Sequence, residues 1–368
     1  MIYLDNGATS LEKPWQVRQA VCRALNVCGN PGRGGYPASM EAARVVYGCR
    51  ERAAKLFDCQ PEQVVFTGNC TQGLNMAIRT LLTPGDRVVI SGFEHNAVTR
   101  PLHLLGAKTI VAGRKLFDPS DTLHSFEQAL KGGAQAAIFT HVSNVFGYIL
   151  PVSEMAELCR KYHVPFIIDA AQSAGCLPVR LNELGADFIA MPGHKGLLGP
   201  QGTGLLLCNH RLTPLLAGGT GSESRNQDMP EDLPERGEAG TLNVPGIAGL
   251  SAGLGYILAQ GTERIFAREE RQMRRTVRSL QAMGLQVFTG KQQIGTVSFV
   301  PEGDCQEFSE ALAQQGIAVR AGLHCAPLAH ESAGTLESGT VRVSFGHTAS
   351  DTQTDVLLRA VRNLLSDL

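Results

Sequence analysis

Short apolar runs alternate, between about residues 60 and 210, with stretches whose apolar residues recur at the helical period. This alternation is typical of a parallel sheet whose strands are joined by crossover helices. Most of the runs carry apolar side chains on both faces, so they predict strands that are buried on both sides. The predicted strands occupy residues 64–66, 88–90, 136–139, 165–168, 188–190 and 204–207.

The pattern changes after residue 222. Residues 222–242 are rich in charge, glycine and proline and have no apolar periodicity, which indicates an irregular surface segment. The residues that follow mix helical and strand periods, as expected for a smaller α+β unit. Helices are predicted at 244–260, at 264–283, from about 306 and at about 352–365, and strands at 295–300, 317–320 and 340–345.

Composition and charge narrow the class of protein. The 368 residues are 43% hydrophobic and 18% charged with a net charge of -1, so no overall field would draw the chain to nucleic acid or to an anionic membrane. The longest apolar runs, 134–140 and 204–208, are far shorter than the roughly 20 residues of a membrane helix. Asp5 and Asn6 stand where the apolar part of a signal peptide would begin. We therefore expect a cytoplasmic protein with a small-molecule ligand, no nucleic-acid partner and no membrane partner.

The cysteines do not by themselves mark a site. There are 10 of them, and no pair has the CxxC spacing of a structural zinc site, so no metal is expected. In a reducing compartment most cysteines are small buried hydrophobic residues. A reactive cysteine needs special surroundings, which the local sequence does not reveal.

Polar groups follow several of the predicted strands directly. In open α/β sheets, ligands bind at the carboxyl ends of the strands, so these separate segments are expected to meet in one crevice. The groups are Thr67-Gly68, Glu94-His95-Asn96, His141-Val142-Ser143-Asn144, Asp169 and His194-Lys195.

Lys195 and Asp169 together point to a cofactor. The Lys195 amine, placed at a strand end inside a crevice, can lose solvation and form a Schiff base, although a lysine between glycines is more often a solvated loop residue. Asp169 ends a buried strand, where an unpaired carboxylate is costly, so it needs a cation such as the pyridinium nitrogen of pyridoxal 5′-phosphate (PLP). The alternative for Asp169 is a helix-capping role.

A phosphate site and an imidazole complete this pattern. Residues 68–73 follow a strand and open a helix, whose N-terminus can bind phosphate with help from the Thr71 hydroxyl. The segment matches neither nucleotide-binding glycine motif, and an ordinary capped loop is the alternative. His95 could stack on a cofactor ring and shuttle protons, although a lone histidine is more often structural.

In this order along nearly the whole chain, these segments resemble the fold type I PLP enzymes of aminotransferase class V, and within them the Suf-type (group II) cysteine desulfurases and selenocysteine lyases. The matching segments are Tyr3-Leu4-Asp5-Asn6-Gly7-Ala8-Thr9, Cys70-Thr71-Gln72-Gly73, Glu94-His95-Asn96-Ala97, His141-Val142-Ser143-Asn144, Asp169-Ala170-Ala171-Gln172, Gly193-His194-Lys195, Glu238-Ala239-Gly240-Thr241, Arg320-Ala321-Gly322-Leu323-His324-Cys325-Ala326 and Val341-Arg342-Val343-Ser344.

The resemblance implies roles for residues that would bind PLP. Lys195 would carry the cofactor and act in catalysis, Asp169 would pair with the pyridinium nitrogen, and His95 would stack on the ring and also act in catalysis. The other implied contacts are the Cys70 backbone, Thr71 and His194 to the phosphate, Gln172 to the ring hydroxyl, and Thr241 to the phosphate of the neighbouring subunit. A homodimer with shared sites follows from that last contact.

The resemblance also implies a substrate pocket for L-cysteine or a related amino acid. Its residues would be Arg33, Asn144, Arg320 and Arg342, and the planar fork of Arg342 would pair with the substrate carboxylate.

Cys325 would be the sulfur acceptor in such an enzyme. Its thiolate would attack the sulfur of a bound cysteine, which leaves a persulfide on Cys325 and releases alanine. Arg320 and His324, close in sequence, are expected to supply positive charge near the thiolate. A transient acceptor protein would then receive the sulfur, for example in iron–sulfur cluster assembly.

The resemblance predicts a large PLP-binding domain of residues 15–250 and a small domain made of residues 1–14 and 251–368. The chain departs from the family pattern at Pro192, at Leu323 and in Cys325-Ala326-Pro327, so substrate preference and sulfur delivery stay open. The alternative activities are a selenocysteine lyase or another class V aminotransferase or lyase. A non-enzymatic sulfur-trafficking or phosphate-ligand-binding protein is a further alternative.

Overall fold

The computed structural model describes residues 1–32, 34–222 and 224–366. Its helices are α1 (Trp15–Val27), α2 (Pro37–Phe57), α3 (Cys70–Leu81), α4 (Asn96–Leu105), α5 (Pro119–Lys131), α6 (Val152–Tyr162), α7 (Leu181–Leu184), α8 (Val244–Gln260), α9 (Thr262–Ala282), α10 (Cys305–Gln314), α11 (Pro327–Ala333) and α12 (Asp351–Ser366). None of the helices in these three ranges is both long and apolar enough to span a membrane.

The strands of the structure include those that the apolar runs predict, within a few residues of the predicted bounds, and others that the runs do not predict. They are β1 (Ile2–Tyr3), β2 (Val64–Thr67), β3 (Arg87–Ser91), β4 (Lys108–Ala112), β5 (Ala136–Thr140), β6 (Phe166–Asp169), β7 (Phe188–Pro192), β8 (Gly204–Cys208), β9 (Gln286–Phe288), β10 (Thr296–Val300), β11 (Ile317–Ala318), β12 (Arg320–Gly322) and β13 (Thr340–Ser344).

A seven-stranded sheet in the order β2-β8-β7-β6-β5-β3-β4 forms the centre of the fold. Its strand pairs are parallel except for those of β8, which runs antiparallel to both β2 and β7. β8 follows β7 through a loop without a crossover helix, and a neighbouring strand that returns directly must run antiparallel. The predicted mostly parallel mixed sheet is therefore confirmed.

In this sheet, the strands that the sequence predicts are more deeply buried than the one strand that it does not predict. Every residue of β2, β5, β6, β7 and β8 is buried, as expected from their continuous apolar runs. The sequence does not predict β4, an edge strand in which only Ala112 is buried. An edge strand that is partly exposed has no need of a continuous apolar run, so its pattern is weak.

Helices cover both faces of the sheet. Leu74 of α3 and Leu102 of α4 belong to the buried apolar cluster on one face. Phe126 of α5 and Met155 of α6 belong to the cluster on the other face. The resulting three layers are those of an α/β protein, as predicted.

A smaller antiparallel sheet, in the order β12-β13-β10-β9, is formed by C-terminal residues. α9, α10 and α12 supply buried apolar residues to its core. The first residues of the chain also lie here, because β1 pairs with β11 and Asp5 forms a bridge to Ser344. The division into domains at residues 15 and 250 stays a prediction, and α8 runs across residue 250.

Candidate active site

The carboxyl ends of the central strands bring the predicted chemical groups together. His95 follows β3, Asn144 follows β5, Asp169 ends β6, and Lys195 lies in the loop between β7 and β8. β6 lies between β5 and β7 in the sheet, so the segments from these three strands are neighbours. They form a crevice at one edge of the parallel strands, where α/β proteins bind ligands.

The amine of Lys195 lies in a desolvated and charged environment. Burial lowers the pKa of Lys195 below its usual range, and the carboxylate of Asp169 opposes that shift. Arg342 and Arg320 lower the pKa further because their positive charges disfavour a third cation. A lysine with a lowered pKa is more often neutral, and the neutral amine is the form that acts as a nucleophile or a base.

Asp169 uses one of its carboxylate oxygens within the protein. Oδ1 accepts hydrogen bonds from the Ala171 N–H at 2.9 Å and from the Cys70 thiol at 3.5 Å. Within the described ranges, both hydrogen bonds of this carboxylate end on Oδ1, so Oδ2 has no hydrogen-bond donor there. Asp169 thus holds the turn that follows β6 and caps no helix of the described residues, since the next helix begins at Leu181. Its pairing with a pyridinium nitrogen stays a prediction.

The N-terminus of α3 provides free donors beside this carboxylate. The side chain of Asn69 caps the helix and accepts a hydrogen bond from the Gln72 N–H at 2.9 Å. The N–H groups of Cys70 and Thr71 are among the first four of the helix, which no helical carbonyl can bind. Together with the positive end of the helix dipole, they suit an anionic group such as phosphate.

His95 is held as the N-cap residue of α4. Its Nδ1 accepts a hydrogen bond from the Ala97 N–H at 3.0 Å, so the proton of the neutral ring lies on Nε2. Burial lowers the pKa of His95, while the nearby Asp169 carboxylate acts in the opposite direction. A neutral ring that donates from Nε2 can stack against a planar ligand or pass a proton.

His194 and Gln172 contact the first residues of the chain. The Nδ1 of His194 lies 3.0 Å from the Thr9 hydroxyl, and Gln172 Nε2 donates to the Gly7 carbonyl at 3.0 Å. Burial lowers the pKa of His194 to about 4, with further lowering by the positive charge of Lys195. His194 is therefore neutral near pH 7 and would contact a phosphate as a hydrogen-bond partner, without a charge.

Residues 5–13, here called the N-terminal strap, contribute contacts that sequence reasoning missed. Ser10 Oγ donates to the main-chain oxygens of His194 and Lys195, at 3.0 and 3.1 Å. Lys13 Nζ donates to the Ser10 carbonyl at 2.7 Å and to that of His194 at 3.2 Å. The strap thus fixes the backbone of the Lys195 loop. The only signal for it in the sequence is the matching segment at residues 3–9.

Arg342 is buried at the other end of the strap. Its guanidinium donates to Asp5 Oδ1 at 2.6 Å and to the Asn144 main-chain oxygen at 3.0 Å. Arg320 stands opposite Arg342 in the pairing of β12 with β13, and it is exposed. Asn144 and both arginines, which were predicted for the substrate pocket, therefore lie close to one another.

Cys325 sits on a loop that two hydrogen bonds fasten to the crevice. The His324 carbonyl accepts from Asn144 Nδ2 at 2.7 Å, and the Cys325 carbonyl accepts from the Asn96 N–H at 2.8 Å. The loop turns sharply here, because His324 and Cys325 both adopt left-handed backbone angles with φ of 49° and 57°. The Cys325 side chain is exposed, unlike most of the other cysteines.

The structure corrects the expected source of positive charge near Cys325. His324 is 5% exposed, and its Nε2 lies 3.2 Å from the Thr340 carbonyl. Burial lowers the pKa of His324 to about 2, and the positive charge of Arg342 adds to this effect. The expectation that His324 supplies a cation is wrong, because a buried imidazole next to an arginine stays neutral.

Thr241 is separate from the other predicted residues, and Arg33 lies outside the described residues. Thr241 lines a cavity of about 690 Å³ whose other walls include Arg50, Glu238 and Gly32. The lining of this cavity includes neither Lys195 nor Asp169. Thr241 therefore does not face the crevice of its own chain, and its predicted contact with a neighbouring subunit stays a prediction.

The donor set of the crevice fits PLP. A desolvated lysine suits its aldehyde, the buried Asp169 carboxylate suits its pyridinium nitrogen, and the N-terminus of α3 suits its phosphate. These three functions come from three different strand ends, and the Cys70 thiol that contacts Asp169 joins two of them. Neither a nucleotide nor a metal ion needs a desolvated lysine, a buried carboxylate and a helix N-terminus together.

Comparisons with known proteins show which family the chain is similar to. The aminotransferase class V family model matches residues 2–357. A probable cysteine desulfurase of Methanothermobacter thermautotrophicus is 32% identical over 94% of this chain and 90% of its own, and one of Pyrococcus abyssi is 33% identical over 100% and 95%. The apo structure of a cysteine desulfurase from Thermococcus onnurineus superimposes with a TM-score of 0.92 at 32% identity, covering 100% of this chain and 95% of its own.

The chain therefore belongs to the aminotransferase class V family. This confirms the predicted family and the predicted fold class of a fold type I PLP enzyme. The relatives are enzymes by name, which supports the predicted enzyme against the further alternative of a non-enzymatic binding protein.

Proposed function

We propose that this chain is a PLP-dependent cysteine desulfurase, which converts L-cysteine to L-alanine and receives the sulfur as a persulfide on Cys325. The observation that carries the proposal is the position of Cys325. Its exposed thiol stands on a loop whose carbonyl groups are hydrogen-bonded to Asn144 and to Asn96, the residue after His95. A thiol held in this way can meet a substrate that is bound in the crevice.

Lys195, Asp169 and the start of α3 would hold the cofactor. Bound there, PLP supplies an electron sink that makes the Cα proton of an amino acid acidic and weakens bonds at its Cβ. Asp169 would pair with the ring nitrogen through Oδ2, since Oδ1 already accepts hydrogen bonds from the Ala171 N–H and the Cys70 thiol. His95 would present its neutral ring to the cofactor from the start of α4.

Lys195 would act as the base on the substrate. Its lowered pKa keeps more of the amine neutral near pH 7, so it can accept the Cα proton and later return one. Arg342 would bind the substrate carboxylate, which orients the Cα–H bond toward that amine. The hydrogen bond from Arg342 to the Asn144 carbonyl holds the guanidinium in place for this task.

Cys325 would then take the sulfur by direct displacement. Its thiolate forms an S–S bond with the substrate sulfur while the C–S bond of the substrate breaks. The electron pair of that C–S bond stays with the carbon, which a proton converts to the methyl group of alanine. Neither an oxidant nor a reductant is needed, because the sulfur that reaches Cys325 is transferred as a neutral atom.

The oligomeric state, the sulfur acceptor and the cellular location of the enzyme are also proposals. A homodimer is supported by Thr241, which lines a cavity apart from its own crevice. A protein acceptor for sulfur is supported by the exposure of Cys325, and iron–sulfur cluster assembly is one process that would use such an acceptor. The 10 cysteines are free thiols, as is typical of the reducing cytoplasm.

A mass measurement on Cys325 tests the proposal. The PLP-loaded enzyme is incubated with L-cysteine, without a reductant, and its peptides are analysed by mass spectrometry. We expect a mass increase of one sulfur atom on the Cys325 peptide and one alanine released for each sulfur bound. Cys325→Ser should lower alanine formation at least about a hundredfold, because a hydroxyl is a far weaker nucleophile toward sulfur.

Cys22 provides the matched control. It is the other exposed cysteine of the described ranges and lies on α1, on a different part of the protein from the crevice. Cys22→Ser is expected to retain full activity. If Cys325→Ser forms alanine from L-cysteine as fast as the wild type, the persulfide role is wrong. Rapid alanine formation by the wild type from L-selenocysteine, with none from L-cysteine, would identify a selenocysteine lyase instead.

A further inference from the structure

The buried guanidinium of Arg342 already has an anionic partner within this chain. Arg342 is 1% exposed, and its Nη2 donates to Oδ1 of Asp5 at 2.6 Å. Nη1 donates to the Asn144 carbonyl at 3.0 Å, and Nε is buried without a partner among the described residues. A guanidinium keeps its charge near neutral pH, so a buried one needs an anion beside it. Asp5 supplies that anion.

The two members of this ion pair differ in their access to water. The side chain of Asp5 is 19% exposed, whereas that of Arg342 is 2% exposed. Water can therefore solvate the Asp5 carboxylate once that carboxylate leaves the guanidinium. Water cannot take the place of an anion at the buried Arg342. Arg320, opposite Arg342 in the strand pairing, adds a second positive charge. The group of two arginines and one aspartate has a surplus of one positive charge, which suits the binding of one carboxylate.

Backbone contacts hold Asp5 in place whether or not its side chain is paired. Asp5 forms a bridge to Ser344, and the Ser344 N–H donates to the Leu4 carbonyl at 2.7 Å. Release of the ion pair thus needs only a rotation of the Asp5 side chain. The strap itself can stay where it is, so the pair can form again as soon as a ligand leaves.

We propose that Asp5 is the resident counter-ion of Arg342 and that a ligand carboxylate binds by taking its place. A carboxylate that pairs with both Nη1 and Nη2 brings a second negative charge close to Asp5, and the two carboxylates repel each other. Asp5 therefore moves away toward water, and its competition lowers the affinity of the site for carboxylates. The inference rests on the proposed function only for the identity of the anion, which would be the substrate carboxylate.

Binding of 3-mercaptopropionate to the PLP-loaded enzyme tests this exchange. This probe has a carboxylate and a thiol but no amino group, so it cannot react with the cofactor as an amino acid does. The substitution Asp5→Asn keeps the size of the side chain and removes its charge. Isothermal titration calorimetry is expected to show about fivefold tighter binding to Asp5→Asn than to the wild type. Equal or weaker binding would overturn the proposal.

An uncharged probe separates competition from a structural effect. For 3-mercaptopropionamide, which replaces the carboxylate by an amide, Asp5→Asn and the wild type are expected to bind equally. A purely structural role of Asp5 would change the binding of both probes in the same direction. In steady-state kinetics the same substitution is expected to lower KM for L-cysteine more than it changes kcat.

A crystal structure of the wild type with 3-mercaptopropionate gives a test that does not depend on the variant. We expect the probe carboxylate on Arg342 and the distance from Nη2 to Asp5 Oδ1 increased beyond hydrogen-bonding range. A bound carboxylate with the 2.6 Å contact retained, or no carboxylate at Arg342, would overturn the exchange. If the exchange is seen but L-cysteine yields no alanine, the proposed function fails alone. If alanine forms but Asp5 does not move, the exchange fails alone.

Discussion

At the scale of single residues, burial decides the charge of most ionisable groups around the crevice. His95, His194 and His324 have lowered pKa values because the charged ring loses its hydration. The same effect raises the pKa of Glu94 to about 8, although hydrogen bonds from Ser91 and Thr140 oppose it. The site is therefore built largely from neutral donors and acceptors, and its charge is concentrated on the Asp169 carboxylate and the arginines.

Glu269 allows a prediction of pH dependence. It is 7% exposed on α9, and burial raises its pKa from 4.5 to about 8. The folded protein holds this proton up to about pH 8, whereas the unfolded chain loses it above 4.5, so the contribution to stability falls as the pH rises between these values. Glu269→Gln has no proton to lose, so its free energy of unfolding should not fall in this way. It should exceed that of the wild type by about 2–4 kcal/mol at pH 8 and differ little from it near pH 4.

Urea unfolding of both proteins at several pH values measures this difference. Glu263→Gln, in the first turn of the same helix, is the control, because Glu263 is exposed and its replacement should not alter the pH dependence. A constant difference between Glu269→Gln and the wild type across the pH range would show that Glu269 is ionised in the folded protein.

At the scale of secondary structure elements, a buried ion pair fastens the segment before α8 to α2 and β2. Arg50 of α2 and Glu238 have side chains that are 8% and 6% exposed. Glu238 Oε1 also accepts the Phe66 N–H at 2.6 Å, and the guanidinium lies 4.4 Å from the Phe66 ring centre. The ion pair thereby holds the short segment that ends at Thr241 against α2 and β2. This segment is distant in sequence from the residues of the crevice.

Replacement of one member of this pair is predicted to be costly. Arg50→Met leaves the Glu238 carboxylate buried without its cation and should lower the free energy of unfolding by about 3–5 kcal/mol. The double variant Arg50→Met/Glu238→Met should lose less than Arg50→Met alone, because no unpaired charge remains. Urea unfolding followed by circular dichroism measures both values.

An exposed ion pair gives the comparison. Arg180 and Glu183 have side chains that are 54% and 64% exposed, so Arg180→Met should cost less than about 1 kcal/mol. A similar small cost for Arg50→Met, or a double variant that is less stable than Arg50→Met, would contradict the role of the buried pair as a clamp.

At the scale of the whole molecule, one predicted cofactor residue lies outside the crevice of its own chain. Thr241 lines the cavity of about 690 Å³ together with residues from α2 and with Asn30, Pro31 and Gly32. If Thr241 reaches the phosphate bound by a neighbouring chain, each site needs two subunits. The protein should then sediment with twice the 39.3 kDa mass of the chain.

Mixed dimers test the sharing of sites. Thr241→Ala should bind PLP about tenfold more weakly, since one hydrogen bond to a charged group is lost. Lys195→Ala cannot form the lysine-linked absorbance band. A mixed dimer of these two variants should regain one site with the wild-type affinity, because Lys195 from one chain meets Thr241 from the other. Recovery of no such site, or a monomeric mass, would contradict shared sites.

Features that depend on neighbouring residues could be predicted from the sequence, whereas features that depend on contacts between distant residues could not. The strands 136–140 and 166–169 were predictable because each is a short, fully buried apolar run. β4 and β9 were missed, since edge strands with exposed residues lack such a run. The family motifs indicated Lys195 and Cys325, but nothing local to Ser10 or Lys13 showed that they bind the Lys195 loop from about 180 residues away in sequence.

The sequence by itself determined the order of strands and helices, the chemical groups at the strand ends and the family, because these depend on neighbouring residues and their periodicity. Only the tertiary structure decided the charge of His324, the pairing of Arg342 with Asp5 across 337 positions, and the attachment of the Cys325 loop to Asn96 and Asn144. The physical reason is that solvation and ion pairing depend on which distant segments exclude water from a group, and no local pattern in the chain records that.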